Sequence, residues 1–269
     1  MSEYDDFDFE DYGKRPPDPK EISAKAILED FFDRSRERVF FSRQVEVQHE
    51  DQFFHWITNR AIRDLIDDGT IRGETRALKN VGTIHLLWHR NYRFYKRSAK
   101  RLVELVEAYA DPNIGGALGL HGETMVLAGF ARSEFVMRGH NTRIFRGKIW
   151  ENTEHDLDFI FERDSVVYGI EVKNTLGYME YEELDIKIRL CGHLGIRPMF
   201  VVRMMPKTWI KELIDRGGYA MILKYQLYPW THRDLAQRVA RELGLPVDAP
   251  RALADGTMER FIRWHEKKM

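Results

Sequence analysis

A chain of 269 residues, 43% hydrophobic and 32% charged, has room for one large globular domain or two modest ones and enough apolar material for a core. No run approaches the roughly 18 apolar residues of a membrane span, no basic-then-apolar leader opens the chain, and a single cysteine, Cys191, excludes an intrachain disulfide or a thiolate zinc cluster; a reducing cytoplasmic setting is expected (nucleoid-associated if the source is prokaryotic). The net charge of −1 hides an asymmetry, because residues 1–12 hold six acids and no Lys or Arg; setting those six aside leaves the remainder at +5, a balance that permits a nucleic-acid partner without requiring one.

Residues 1–20 read as an acidic disordered tail, with Tyr4, Phe7, Phe9 and Tyr12 between the acids and Pro16, Pro17 and Pro19 behind them. Such a tail suits either the protein's own basic surface or a protein partner. Residues 21–94 look like one small domain. Ile22, Ala26, Ile27 and Phe31 follow helical spacing, 39–41 make a short strand, and Ser42 is placed to cap a short helix. A stronger helix over 52–67 puts Phe54, Ile57, Ala61, Ile62 and Leu65 on one arc and Trp56, Asn59, Arg60 and Arg63 on the other. Two extended runs, 70–78 and 83–88, follow around a turn at 79–82. Three helices and a hairpin, with I-R-D-L-I-D-D-G-T-I-R at the junction, resemble a winged helix-turn-helix. That resemblance implies Asn59, Arg60 and Arg63 in a DNA major groove and Arg72, Arg76 and Lys79 along a wing. The alternative is a packing or protein-binding module with a solvated polar face.

Residues 95–114 are expected to form a basic linker helix. Arg90, Arg93, Arg97 and Lys100 share a helical face that suits phosphates, and Asp111-Pro112-Asn113 with Gly115-Gly116 is expected to break the chain. The second domain, 115–269, opens with a helix over 117–131. Its apolar face is read as Leu120, Val126, Leu127 and Phe130, with Glu123 in the middle of that arc. Strands are expected at 134–137, 142–145, 156–161, 166–173, 198–202 and 219–223, and helices at 181–194 and 208–216, giving a mixed α/β sheet with helices on it. In the helix 181–194, Glu183 and Lys187 project into a wide apolar arc. Two further helices, 234–243 and 258–267, carry no evident chemistry.

The stretch 158–173, D-F-I-F-E-R-D-S-V-V-Y-G-I-E-V-K, reads as a β-hairpin. Glu171 and Lys173 share one strand face while Val166, Tyr168, Ile170 and Val172 take the other. Charges at the ends of strands that otherwise favour burial are costly unless paired or holding an ion. Asp158, Glu171 and Glu123 as oxygen ligands suit Mg²⁺ or Mn²⁺, with Lys173 placed to stabilise developing charge on a phosphodiester. The bland alternative is a cluster of strand-end ion pairs.

Asp158 followed by Glu171-Val172-Lys173 at the end of the next apolar strand resembles the signature of the PD-(D/E)xK nuclease superfamily, over about residues 117–203. The resemblance implies a restriction-endonuclease-like sheet flanked by helices, with Asp158 and Glu171 as metal ligands, Lys173 as the catalytic lysine, Glu123 as the acid of the first core helix, and Lys187 and Glu183 at a position that varies between subfamilies. Leu157 stands where the signature has Pro, and Asp156 is a rival for the aspartate. The expected protein is a Mg²⁺- or Mn²⁺-dependent deoxyribonuclease that acts on duplex or branched DNA by attack of a metal-activated water. Its DNA-binding residues would be Asn59, Arg60, Arg63, Lys79, Arg93 and Arg97. A homodimer is compatible with this expectation and no membrane contact is expected. The rival is a non-catalytic DNA-binding or adaptor protein that keeps the same fold.

Overall fold

The computed structural model describes residues 18–79 and 82–268. The acidic tail, apart from its last residues 18–20, lies outside the described residues, as do 80–81 in the expected turn. The chain is mixed α/β and divides into two units: one runs up to Gly115 and also takes in Gln237–Leu245, and the other comprises Gly116–Ala236 and Pro246 onward. No described helix is long and apolar enough to cross a membrane.

The first unit begins with α1 (Pro19–Arg34), which starts where the sequence permits it. Asp18 accepts the Lys20 N–H at 2.8 Å, Glu21 reaches back to the Asp18 N–H, and Pro19 occupies the first turn, where its missing donor costs nothing. There follow β1 (Val39–Phe41), α2 (Ser42–His49), α3 (His55–Asp67), β2 (Ile71–Ala77), β3 (Thr83–His89) and α4 (Tyr95–Tyr109). The three strands form an antiparallel sheet in the order β1-β3-β2. Leu28 and Phe32 of α1, Val45 of α2, Ile57, Ile62 and Leu65 of α3, and Leu87 of β3 close over a common core with Phe40. Ser42 is the first residue of α2 rather than its cap, and its hydroxyl donates to the His85 carbonyl.

Helix α4 is not a free linker. It buries Ala99, Leu102, Leu105, Val106 and Tyr109, and Tyr95 stacks on Trp88 at 4.1 Å between ring centroids. Because it begins at Tyr95, Arg90 and Arg93 precede it and do not share its face with Arg97 and Lys100. The segment Gln237–Leu245 contains a π-helical turn, Val239–Leu243, closed by left-handed Gly244. Gln44 and Gln48 of α2 both donate to the Leu243 carbonyl, at 2.8 and 2.7 Å.

Helix α5 (Pro112–Arg132) spans the division between the units. The Pro-Gly-rich stretch that was expected to break the chain instead starts this helix. Asp111 accepts the Asn113 N–H at 2.9 Å as a cap, Pro112 sits in the first turn, and Gly115 and Gly116 simply continue it. The second unit then runs β4 (Val136–Thr142), β5 (Ile144–Phe145), β6 (Lys148–Ile149), β7 (Leu157–Arg163), β8 (Val166–Lys173), α6 (Tyr181–Leu194), β9 (Arg197–Val202), α7 (Lys207–Asp215), β10 (Tyr219–Ile222), β11 (Gln226–Leu227), α8 (Arg233–Arg238), β12 (Val247–Asp248) and α9 (Asp255–Glu266).

Five strands make one mixed sheet in the order β10-β9-β8-β7-β4, antiparallel across β4, β7 and β8 and parallel across β8, β9 and β10. Asp164 and Ser165, both left-handed (φ 51° and 64°), turn β7 into β8, the geometry a tight hairpin of right-twisted strands favours. Alternation then sorts the two faces. Phe159, Phe161, Tyr168 and Ile170 pack with Met125, Val126 and Phe130 of α5 and Phe261 of α9. Ile160 and Val167 pack with Ile186, Leu190 and Cys191 of α6. Gly169 lets α6 approach, since a Cβ there would lie 2.7 Å from the Cys191 sulfur.

Candidate active site

The β7–β8 ladder closes with Phe159 opposite Ile170. One step beyond, on the same register, Asp158 falls opposite Glu171. The Asp158 carboxylate accepts the Val172 N–H at 2.6 Å, so a side chain takes the main-chain donor at the ladder's end. Burial lifts Asp158 above the ordinary carboxylate range, the Val172 N–H opposes that, and the negative charge of Glu123 adds to it.

Glu171 is 3% exposed and each of its oxygens faces a lysine. Lys187 on α6 donates to Oε2 at 2.5 Å, and Lys173 lies 3.3 Å from Oε1. Burial, joined by the charge of Asp158, nevertheless pushes the Glu171 carboxyl up to about 7. Lys187, also buried, gives a second hydrogen bond to the Asp156 carbonyl. Asp156 thus contributes a main-chain oxygen here, while Asp158 contributes a carboxylate. Lys173 pairs with Glu183 at 2.7 Å as well as with Glu171. Burial works against its charge, but the two carboxylates outweigh burial and hold it above the usual lysine range. Asp158, Glu171, Lys173, Glu183 and Lys187 are therefore joined by strand register and direct contacts.

Glu123 stands apart from this chain of contacts. It does not lie in the middle of the buried face of α5. That face is Leu118, Gly122, Met125, Val126, Gly129 and Phe130, whereas Leu120 and Leu127 are exposed. The single apolar face expected from periodicity is split by tertiary packing, which buries Val126 and Phe130 but leaves Leu120 and Leu127 exposed. Glu123 lies at the arc's edge, partly solvated, with Oε2 4.0 Å from Nε2 of His140 on β4. His140 pairs with Phe159 in the ladder and stacks on its ring at 5.2 Å, one strand out from Asp158. Nothing in the sequence around His140 marks it; only the pairing of β4 with β7 brings it here. Among the described residues no three His, Cys, Asp or Glu side chains gather into a metal cage.

Asn174 fixes the neighbourhood. Directly after Lys173, it is buried, and its amide donates to the carbonyls of Leu118 on α5 and Leu227 on β11, each at 2.7 Å, while its Oδ1 accepts the Leu227 N–H at 2.6 Å. Helix α5 is thereby tied to the strand end that carries Glu171 and Lys173.

In the first unit, Arg60 pairs with buried Glu21 on α1, and its guanidinium lies over the Trp56 ring at 5.0 Å. Asn59 and Arg63 are half-buried. Lys79 pairs with Glu107, and Arg76 with Glu74. Arg93 and Arg97 are exposed, and neither has an acidic partner among the described residues.

No family model matches the sequence, and no curated protein matches it. Among solved structures, the chain is similar to protein VC1899 from Vibrio cholerae, with 14% identity over 93% of this chain and a TM-score of 0.22. It spans about half the length of that protein, 52%. So loose an overlap assigns neither a fold nor an activity.

Proposed function

We propose that this chain is a divalent-cation-dependent nuclease acting on DNA, with a PD-(D/E)xK-like second unit and a winged-helix-like first unit. One observation carries the reading: Asp158 opposite Glu171 at the open end of the hairpin, with Lys173 two residues on and facing the same way. The order of elements supports it, with α5, the β4-β7-β8 meander, α6 and parallel β9 in succession. In the first unit, three helices and the sheet order β1-β3-β2 support the winged-helix reading.

The donors fit Mg²⁺ or Mn²⁺. They are hard carboxylate oxygens, few in number, and buried Glu171 faces half-buried Asp158 at a cost that a divalent cation relieves. Bound there, such an ion supplies Lewis-acid polarisation and a more acidic water. The remaining work falls to the chain itself. The Val172 N–H orients the Asp158 carboxylate. Lys187 fixes the orientation of Glu171 through Oε2 and is itself held by the Asp156 carbonyl. Lys173 Nζ, shared between Glu171 and Glu183, is positioned to donate to a phosphate oxygen as negative charge builds on it. DNA contact falls first to exposed Arg93 and Arg97, since Arg60 and Lys79 already have acidic partners within the unit.

A second reading, a DNA-binding adaptor that keeps this arrangement without turnover, draws on the lysines that face both oxygens of Glu171. Supercoiled plasmid, single-stranded DNA, branched DNA and RNA, each with Mg²⁺ or Mn²⁺, separate the two. The nuclease reading expects cleavage of DNA that falls about 10²–10³-fold in Glu171→Ala and in Lys173→Ala, with circular dichroism unchanged. Wild-type protein that cuts none of these substrates, or variants that cut equally well, would leave the adaptor.

A further inference from the structure

The first unit contains a second feature, separate from the residues assigned to DNA or to cleavage. A cleft of about 450 Å³ opens between the α1–β1 connection, α4 and the π-helical turn at 239–243. Its size lies within the range typical of small-molecule sites. Its floor is aliphatic: Val39, Leu102, Leu105 and Leu243, each less than a tenth exposed. Three arginines from three separate segments converge on it, Arg38, Arg101 and Arg241, together with Glu37, Glu242 and Ser98.

The arginines are unequally engaged. Arg241 reaches Glu242 at 3.5 Å. Arg38 lies over the Phe40 ring and makes a long hydrogen bond, 3.4 Å, to the Glu242 carbonyl. Arg101 has no acidic partner among the described residues. A guanidinium presents a planar fork of donors that matches phosphate in a two-point contact. An aliphatic floor offers a flat ring nothing to hydrogen-bond, but it does offer apolar contact. Carboxylates beside the arginines would repel a bare phosphate, yet they accept from sugar hydroxyls and exocyclic amines. A ligand that meets all three surfaces carries a ring, hydroxyl or amine donors, and an anionic group.

We propose that this cleft binds a nucleoside 5′-phosphate, with the base on Val39, Leu102, Leu105 and Leu243, the phosphate on Arg101 and Arg38, and Glu37 or Glu242 taking the donors of the sugar or base. The phosphate belongs either to a free mononucleotide or to the 5′ end of a strand. The proposal does not depend on the nuclease reading, because none of these residues belongs to the candidate active site.

The test is calorimetric titration of the full chain, without divalent cation, with AMP, GMP, CMP and UMP, with inorganic phosphate, and with a 5′-phosphorylated oligonucleotide beside its unphosphorylated twin. At least one mononucleotide, or the phosphorylated strand over its twin, is expected to bind saturably. Arg101→Ala should weaken that binding at least tenfold with an unchanged melting temperature, since Arg101 is solvent-exposed, while Glu171→Ala should leave it intact. Mononucleotide binding identifies a free nucleotide; preference for the phosphorylated strand alone identifies a strand end. Absence of saturable binding, binding of inorganic phosphate as tight as that of every nucleotide, or equal affinity in Arg101→Ala overturns the proposal. Arg38→Ala gives a second reading should Arg101→Ala lose its fold.

Discussion

The two units treat their charge in opposite ways. In the first, several basic residues on α3 and along the β2–β3 hairpin have acidic partners: Arg60 with Glu21, Arg76 with Glu74, Lys79 with Glu107. In the second, charge is concentrated. Glu171 is buried between two lysines, faces Asp158 across the hairpin, and shares Lys173 with Glu183. The more exposed of these pairs, Arg76–Glu74 and Lys79–Glu107, contribute little and can be replaced. A buried cluster with more than one carboxylate resists full ionisation and is retained at a cost in stability. On the proposed reading, the contrast sets cleavage in the second unit and leaves Arg60, Arg76 and Lys79 engaged within the first.

Lys187 is where that contrast can be broken most forcefully. Lys187→Met leaves the Glu171 carboxylate buried without its nearest cation, and unfolding at pH 8 should show a loss of about 3 kcal/mol. At pH 5 the loss should shrink, because Glu171 is then protonated. A loss of the same size at both pH values would mean that the ammonium serves packing and not the carboxylate.

The next effect is the pH dependence of stability itself. The folded Glu171 keeps its proton up to about 7, whereas a free glutamate loses it near 4.5. Between those values the folded chain binds the extra proton, so acid favours folding. The contribution is complete below pH 4.5 and disappears as pH rises through 7, a span of about 3 kcal/mol for an unrelieved shift of this size. Denaturant unfolding of the wild type should therefore weaken from pH 4.5 to 7 and then level off. Glu171→Gln should flatten that slope whatever its effect on absolute stability, and an unchanged slope would place the titrating group elsewhere.

Arg60→Ala is a milder challenge. It removes the cation from buried Glu21, which keeps the Asp18 N–H, and a loss of about 1–3 kcal/mol is expected in the unfolding of the full chain. DNA affinity, measured by fluorescence anisotropy, should change less in this variant than in Arg97→Ala. Arg97→Ala is the smallest perturbation: stability within about 0.5 kcal/mol of wild type, and a salt dependence of DNA binding reduced by about one phosphate contact. If Arg60→Ala abolishes binding while Arg97→Ala does nothing, the paired Arg60 of α3 is the grip after all.

The hairpin was the most legible part of the chain. Its apolar alternation and its turn residues give β8 as expected and β7 within two residues, because period two and a polar tip are local properties. Glu171 and Lys173 share a face for the same reason. Glu123 shows where local information stops. The helix around it carries apolar residues on more than one arc, and only packing against Phe159 and Phe161 decides that Val126 and Phe130 turn inward while Leu120 and Leu127 face out. His140 was illegible, since its place beside Glu123 comes from a strand pairing that skips the β5–β6 hairpin. Helix α4 looked like a linker because its charged face dominates the sequence, although Leu102, Leu105 and Val106 commit it to the first unit.

The segment Gln237–Leu245 has a consequence for how the chain is made. Gln44 and Gln48 cannot find their acceptor until Leu243 has been synthesised, nearly two hundred residues later. A nascent chain emerging at about 5–20 residues per second therefore presents an incomplete first unit for roughly 10–40 s, while the second unit's strands are already leaving the ribosome. A fragment ending at Gly115 lacks Leu243, so α2's two glutamines would lose the carbonyl to which both donate. Completion of the amino-terminal half is timed by the carboxy-terminal half.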